Sequence, residues 1–176
     1  MIHLVLGGAR SGKSAYAEAL LVGRWRPGDP IVAYLATGTA GPGDADMAAR
    51  DGRHRARRGE PGVTHEAGAG LIAALGGLPP DAPALVDSLG TWIAAHPDLT
   101  VDVDGLVEVL TARPGRTVVV SEEVGLGVHP ETEVGRRFRD VLGDVNQAVA
   151  AAATEVTLVV AGCPVTVRAG TSGERA

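Results

Sequence analysis

The pattern whose residue types and spacing suggest chemistry most directly lies near the start of the chain. It satisfies the G-x-x-x-x-G-K-[ST] pattern of a phosphate-binding loop and reads Gly7, Gly8, Ala9, Arg10, Ser11, Gly12, Lys13, Ser14. In such a loop, backbone N–H groups and the next helix N-terminus attract phosphate oxygens, Lys13 reaches the outer phosphates and Ser14 holds Mg²⁺. The alternative is a glycine-rich strand-to-helix turn with a chance lysine. Because an apolar run precedes the loop and a helical pattern follows it, the sequence favours nucleotide binding.

A histidine lies among arginines in the segment 44–58. On a helix, three- and four-residue spacing would place Arg50, Arg53, His54 and Arg57 on one face. Taken alone, a basic helical face is more often solvated surface. Beside a phosphate-binding loop, however, the arginines could bind a triphosphate, and like-charge repulsion would favour a neutral imidazole whose lone pair can attack. His54 is therefore the candidate nucleophile for a covalent nucleotidyl intermediate, and Lys13 is the second candidate catalytic residue.

Acidic residues follow two apolar runs that have the composition of buried strands. Asp87 comes directly after 84–86, and Glu122 and Glu123 come shortly after 117–120. In phosphate-binding-loop enzymes an acidic residue at a neighbouring strand end completes the magnesium shell, so Ser14 and Asp87 are the predicted Mg²⁺ ligands. One of Glu122 and Glu123, which precede the glycine-bearing loop 124–130, is a candidate for binding or orienting substrate, and Glu123 is the residue selected. The alternative for Asp87 and Glu123 is helix capping or a solvated loop.

Apolar runs alternate with helical patterns along the whole chain. Strands are predicted at 2–6, 31–36, 84–86, 117–120 and 156–161, with a possible hairpin strand at 164–168. Helices are predicted at 15–22, 45–57, 71–75, 106–112 and 133–153. Because parallel strands need crossover connections, this alternation predicts an α/β fold with a mainly parallel sheet and helices on both faces. We expect one domain over 1–168 and a frayed tail over 169–176.

Composition narrows the class of protein. The 176 residues are 45% hydrophobic, which suits one globular domain, and the single Cys163 excludes an intramolecular disulfide. No leader pattern or apolar run of about 18 residues is present, so we expect a cytoplasmic protein without a membrane span. A net charge of −5 and 3% aromatic residues argue against nucleic-acid binding. The histidine spacing does not support a zinc site.

Together these motifs resemble the bifunctional adenosylcobinamide kinase and adenosylcobinamide-phosphate guanylyltransferase family of cobalamin biosynthesis, over residues 2–168. Besides the loop 7–14, the matching residues are Tyr34, Leu35, Ala36, Thr37, Asp46, Met47, Arg50, His54, Arg55, Thr64, His65, Glu66, Leu85, Val86, Asp87, Ser88, Leu89, Trp92, the run 120–130, Arg137, Phe138, Arg139, Asp140, Gly143, Asn146 and Gln147. The chain departs from the family pattern at Asp51, Gly62, Ala95 and Glu122. The last of these stands where the family often has Asn.

The resemblance implies a RecA-like P-loop fold, usually assembled as a homotrimer, and two reactions on a corrinoid. The first phosphorylates the aminopropanol hydroxyl of adenosylcobinamide with ATP or GTP. The second transfers GMP from GTP to that phosphate through a guanylylated histidine, releasing pyrophosphate and leaving adenosylcobinamide-GDP. His54 falls at the position of that histidine, and Glu66 falls at a position that implies a nucleotide contact.

Two other functions remain open from the residues alone. A small-molecule kinase or NTPase without a covalent step would use the basic segment only to close over phosphates. A nucleotide-binding switch or assembly subunit would couple hydrolysis to conformational change without transferring GMP. Neither alternative explains why a histidine lies among arginines in a chain that also carries the loop 124–130.

Overall fold

A seven-stranded sheet forms the centre of the molecule. The structure is a computed structural model and describes residues 1–23, 29–38 and 62–170. The strands are β1 (Ile2–Gly7), β2 (Val32–Ala36), β3 (Gly62–Glu66), β4 (Ala84–Asp87), β5 (Thr117–Glu122), β6 (Glu155–Val160) and β7 (Cys163–Arg168). Their spatial order is β3-β2-β4-β5-β1-β6-β7. Every neighbouring pair is parallel except β6 and β7, which form an antiparallel hairpin at the sheet edge.

The helices connect and cover these strands. They are α1 (Lys13–Val22), α2 (Leu71–Gly76), α3 (Leu89–Ala94), α4 (Val103–Ala112) and α5 (Glu133–Ala152), and a short 3₁₀ turn (Gly68–Gly70) precedes α2. Within the described ranges, no helix is long and apolar enough to cross a bilayer.

Side chains alternate along each strand, so the two faces of the sheet carry different residues. On one face, Val118 and Val120 of β5 pack with Val5 of β1 and with Ala17 and Leu21 of α1. On the other face, Val119 belongs to a larger apolar cluster with residues of the remaining helices, among them Leu71, Trp92, Leu106 and Leu142. Complete burial of one such side chain contributes about 1.5–3 kcal/mol. These two clusters hold the helices on the sheet and fix the strand ends where the site lies.

The predicted α/β fold is confirmed. The five predicted strands and the C-terminal hairpin strand all form, with ends that differ by one or two residues. Helices form at four of the five predicted places, and the fifth, at 45–57, lies outside the described residues. Helix α4 begins at Val103, earlier than predicted, because the Asp102 side chain accepts a hydrogen bond from Gly105 N at 2.8 Å and caps the first turn.

Strand β3 and helix α3 were not predicted. Strand β3 is an edge strand with mostly exposed side chains and therefore lacks an apolar run. Helix α3 has only 6 residues, among them Gly90, Thr91 and Trp92, so its pattern is too short for periodicity. It forms because Ser88 and Thr91 make a reciprocal capping box at its N-terminus.

Candidate nucleotide-binding site

The loop 7–14 joins β1 to α1 through two residues in the left-handed region. Arg10 has φ +57° and Gly12 has φ +93°. The loop closes on itself through a hydrogen bond of 3.3 Å from Ser11 N to the Gly8 carbonyl. A Cβ at Gly7 would lie 2.5 Å from Ser11 Oγ and 2.8 Å from the Val159 carbonyl, so only glycine permits this approach. The sequence thus forms the compact turn that a phosphate cradle requires.

The N-terminus of α1 has no side-chain cap from its N-cap residue, Gly12, and no acidic residue of its own in the first turn. The first turn carries Lys13 and Ser14, and Ser14 is half-buried. An uncapped helix N-terminus that follows a tight glycine loop attracts anionic oxygens. The geometry therefore suits a phosphate group.

Lys13 lies against its own loop and against the end of a neighbouring strand. Its Nζ donates a hydrogen bond of 3.4 Å to the Gly8 carbonyl and lies 3.5 Å from Glu122 Oε1. The Lys13 side chain is 11% exposed and that of Glu122 is 26% exposed. The ammonium is consequently placed at the edge of the loop, where the outer phosphates of a nucleotide would lie.

Asp87, the second predicted Mg²⁺ ligand, ends β4 at the same edge of the sheet. In the register of β4 and β5 it lies opposite Val120, and it shares a face with Leu85, which packs in the cluster around α1. Its carboxylate thus belongs to the face of the sheet on which Ser14 lies. Within the described part of the chain, no three His, Cys, Asp or Glu residues are grouped to hold a metal. The Ser14 hydroxyl and the Asp87 carboxylate together fit Mg²⁺, which binds through one or two carboxylates, water and substrate phosphates.

The other predicted site residues are distributed differently. Glu66 ends the edge strand β3, which β2, β4 and β5 separate from β1. The Glu123 carboxylate accepts a hydrogen bond of 2.7 Å from Gly125 N, and its backbone N donates to the Gly7 carbonyl at 3.1 Å. The structure therefore shows Glu123 stabilising the loop after β5. The four remaining candidates lie outside the described residues: Arg50, Arg53, His54, Arg57.

Of the two adjacent glutamates, Glu122 and not Glu123 lies beside Lys13 at the phosphate-binding loop. It continues the alternation of Val118 and Val120, whose side chains face α1, whereas Ser121 faces α5 and donates a hydrogen bond of 2.6 Å to Asn146 Oδ1. The period of two along β5 would have identified Glu122 as the carboxylate on the α1 face. The predicted strand ends at residue 120, whereas β5 extends to Glu122, so the predicted alternation does not reach the acidic pair.

A buried hydroxyl network ties the turn after β4 to the end of β2. Thr37 is fully buried, and its Oγ1 accepts a hydrogen bond of 2.8 Å from Ser88 N. Thr37 Oγ1 also lies 2.6 Å from Thr91 Oγ1. The Ser88 hydroxyl in turn donates to Glu122. Because buried polar groups that are fully paired hold a unique geometry, this network fixes the turn that faces the phosphate-binding loop.

The loop 124–130 presents apolar side chains to solvent at the same edge. Leu126 is 83% exposed and Val128 is 95% exposed. Side chains of α5 hold the far end of the loop: Arg139 donates a hydrogen bond of 2.9 Å to His129 Nδ1, and Arg136 donates one of 3.1 Å to the Pro130 carbonyl. The loop is thus held at both ends while its tip remains open.

Comparisons with known proteins agree with this geometry. The family model described as cobinamide kinase / cobinamide phosphate guanyltransferase matches residues 3–167. The chain is 40% identical over 174 residues to the bifunctional adenosylcobalamin biosynthesis protein CobP of Pseudomonas aeruginosa, covering 93% of this chain and 95% of the relative. It is 35% identical over 189 residues to the bifunctional adenosylcobalamin biosynthesis protein CobU of Escherichia coli, covering 96% of this chain and 100% of the relative.

Among solved structures, the chain is similar to the flagellar accessory protein FlaH of Methanocaldococcus jannaschii. The TM-score is 0.53 at 14% sequence identity, and the match covers 96% of this chain and 78% of the other. At this identity the likeness shows the fold alone.

Proposed function

The chain belongs to the cobinamide kinase / cobinamide phosphate guanyltransferase family, and we propose that it performs both reactions on adenosylcobinamide. It would phosphorylate the aminopropanol hydroxyl with ATP or GTP and then transfer GMP from GTP to the new phosphate. The observation that carries the proposal is the phosphate-binding loop, with Lys13 Nζ beside the Gly8 carbonyl, in a chain that matches the family over residues 3–167.

In the kinase step, the loop 7–14 holds the triphosphate and Lys13 offsets charge on its outer phosphates. The corrinoid hydroxyl oxygen bonds to the γ-phosphorus, the bond from that phosphorus to the bridging oxygen breaks, and the hydroxyl proton is released. Mg²⁺, held by Ser14 and Asp87, would supply further charge compensation. Positioning and electrostatics carry phosphoryl transfer, so no covalent intermediate is required here.

In the guanylyl step, an imidazole nitrogen of His54 attacks the α-phosphorus of GTP and pyrophosphate leaves. An oxygen of the corrinoid phosphate then attacks the same phosphorus, the nitrogen–phosphorus bond breaks and His54 is restored. Arg50, Arg53 and Arg57 would bind the phosphates around this histidine. Glu66 and Glu123 are proposed to contact the nucleotide at the same edge of the sheet. Support comes from the helical spacing of the basic residues, from the position of Glu123 after a strand end, and, for Glu66, from the family resemblance alone.

The oligomeric state and the cellular location are likewise proposals. We propose a homotrimer that works in the cytoplasm, where its nucleotide substrates are made. No nucleic-acid partner is proposed, because the chain carries a net charge of −5.

The test supplies the purified protein with adenosylcobinamide, GTP and Mg²⁺ and follows both products by chromatography and mass spectrometry. We expect adenosylcobinamide phosphate first, then adenosylcobinamide-GDP in step with pyrophosphate. In His54→Asn the first product should accumulate and the second should be lost. Formation of the second product at the wild-type rate in His54→Asn would contradict the covalent route and favour direct transfer.

A further inference from the structure

Glu122 brings an anionic side chain to the phosphate-binding loop. The register of β1 and β5 places it opposite Gly7, where the loop begins. Its Oε1 lies 3.5 Å from Lys13 Nζ. Because the P-loop lysine contacts the outer phosphates, a triphosphate bound in the loop brings negative charge to the neighbourhood of this carboxylate.

Two hydrogen-bond donors, the Ser88 hydroxyl and Gly90 N, hold the Glu122 carboxylate in place. The Ser88 hydroxyl lies 2.8 Å from Oε1 and 3.0 Å from Oε2, and Gly90 N donates to Oε2 at 3.0 Å. The backbone carbonyl of Glu122 accepts a further hydrogen bond of 3.0 Å from Asn146 Nδ2. A carboxylate that accepts hydrogen bonds from Ser88 and Gly90 is held in one rotamer. It therefore cannot easily turn away when phosphate arrives.

Gly90 makes this position possible. A Cβ added at Gly90 would overlap with Glu122 Oε2, so the first turn of α3 accepts the carboxylate only because that residue is glycine. The turn itself is fixed by the capping box of Ser88 and Thr91 and by the buried Thr37. The negative charge beside Lys13 is thus built into the fold.

We propose that Glu122 is a specificity-determining residue that makes triphosphate binding depend on a bound divalent cation. The carboxylate, 3.5 Å from the Lys13 ammonium, repels the outer phosphates of a triphosphate that arrives without a cation. A cation-bound triphosphate carries less negative charge and meets less repulsion. This inference rests on the proposed function, in that the loop 7–14 holds the triphosphate.

The test is calorimetric titration of the full chain with GTP, once in Mg²⁺ and once in EDTA. Glu122→Gln removes the charge but keeps an acceptor for Ser88 and Gly90. We expect this substitution to tighten GTP binding in EDTA by about tenfold. The repulsion energy between two like charges several ångströms apart at the protein surface corresponds to roughly a tenfold change in affinity. Binding in Mg²⁺ should change by less than about twofold. The ratio of the two affinities would therefore fall about tenfold in the variant.

Two further variants separate charge from structure. Glu122→Asp keeps the charge and should retain the wild-type ratio within about twofold. Glu108→Gln removes the same charge from the exposed face of α4 and should also retain it. An unchanged ratio in Glu122→Gln would overturn the inference, even if both affinities fell together. A reduced ratio in Glu122→Asp would overturn it too, because charge would then not be the determinant. If the wild-type chain bound no GTP in either buffer, the proposed function would fail and this inference with it.

Discussion

The backbone N–H of Gly162 donates a hydrogen bond of 2.8 Å to the carbonyl of Ser11, which joins the β6–β7 turn to the phosphate-binding loop. The contact is close because both elements are glycine-bearing: a Cβ at Gly12 would lie 3.3 Å from Gly162 Cα. The C-terminal hairpin therefore supports the loop from outside the parallel sheet.

Gly12→Ala should damage both the loop and nucleotide binding. Gly12 has φ +93°, where an L side chain is strained by about 1–2 kcal/mol, and the added methyl would press on the β6–β7 turn. We expect the unfolding free energy to fall by about 1–2 kcal/mol. We also expect the GTP affinity to weaken at least about tenfold. Denaturant unfolding and calorimetric titration measure the two effects. Gly70→Ala is the matched control, because Gly70 has φ −81° and open space around its Cβ. Equal GTP affinities for both variants would contradict the role given to Gly12.

Gly90→Ala and Gly143→Ala should change stability in opposite directions, although both positions are helical. At Gly90 the methyl group overlaps with the Glu122 carboxylate and must displace it, which should cost about 1–3 kcal/mol. At Gly143 nothing lies within 4 Å of the added Cβ, so the higher helix propensity of Ala should stabilise by about 0.5–1 kcal/mol. Denaturant unfolding of both variants tests this contrast. Stabilisation by Gly90→Ala would show that the carboxylate does not occupy the position described.

Asn146→Ala should destabilise the strand end that carries Glu122. Asn146 accepts from Ser121 Oγ at 2.6 Å and donates to the Glu122 carbonyl at 3.0 Å. Its loss leaves two polar groups unpaired, so we expect a cost of about 2–4 kcal/mol. A double-mutant cycle with Ser121→Ala should give a coupling of about 1 kcal/mol or more. Gln147→Ala, on the exposed face of the same helix, should stay within about 0.5 kcal/mol. Additive effects of the two substitutions at 121 and 146 would argue against the hydrogen bond.

Arg113→Ala should reduce stability without affecting the site directly. The buried Arg113 guanidinium donates to three carbonyls, those of Leu75 at 3.0 Å, Pro79 at 3.1 Å and Ala82 at 2.7 Å. Because charged hydrogen bonds are worth about 1.5–3 kcal/mol and their loss leaves these carbonyls unpaired, we expect a cost of about 3 kcal/mol. The exposed Arg137→Ala should cost less than about 0.5 kcal/mol. A difference smaller than about 1 kcal/mol between the two variants would contradict this account.

The sequence predicted those parts of the site that depend on local pattern. The loop 7–14 was identified by glycine, lysine and serine spacing, and its preceding strand by a continuous apolar run, which is typical of a strand buried on both faces. Asp87 was predicted as a Mg²⁺ ligand because acidic residues at carboxyl ends of parallel strands share one edge of the sheet, and this role stays a prediction.

What the sequence did not predict depends on neighbours distant along the chain. Strand β3 exists because β2 offers it a parallel partner, and its exposed side chains carry no apolar signal. The choice between Glu122 and Glu123 required the strand to be followed to its true end. The hydroxyl network of Thr37, Ser88 and Thr91 joins segments whose sequence separation hides their contact. Tertiary pairing, which no local propensity encodes, decided these positions.

The measurement that tests the central claim most directly is intact-protein and peptide mass spectrometry after incubation with GTP and Mg²⁺ in the absence of corrinoid. The account predicts a GMP adduct on His54 that is labile in acid and stable in alkali, and that disappears when adenosylcobinamide phosphate is added. GTP binding or hydrolysis with no adduct on His54 at any time would contradict the covalent mechanism and favour a kinase or switch without guanylyl transfer through histidine.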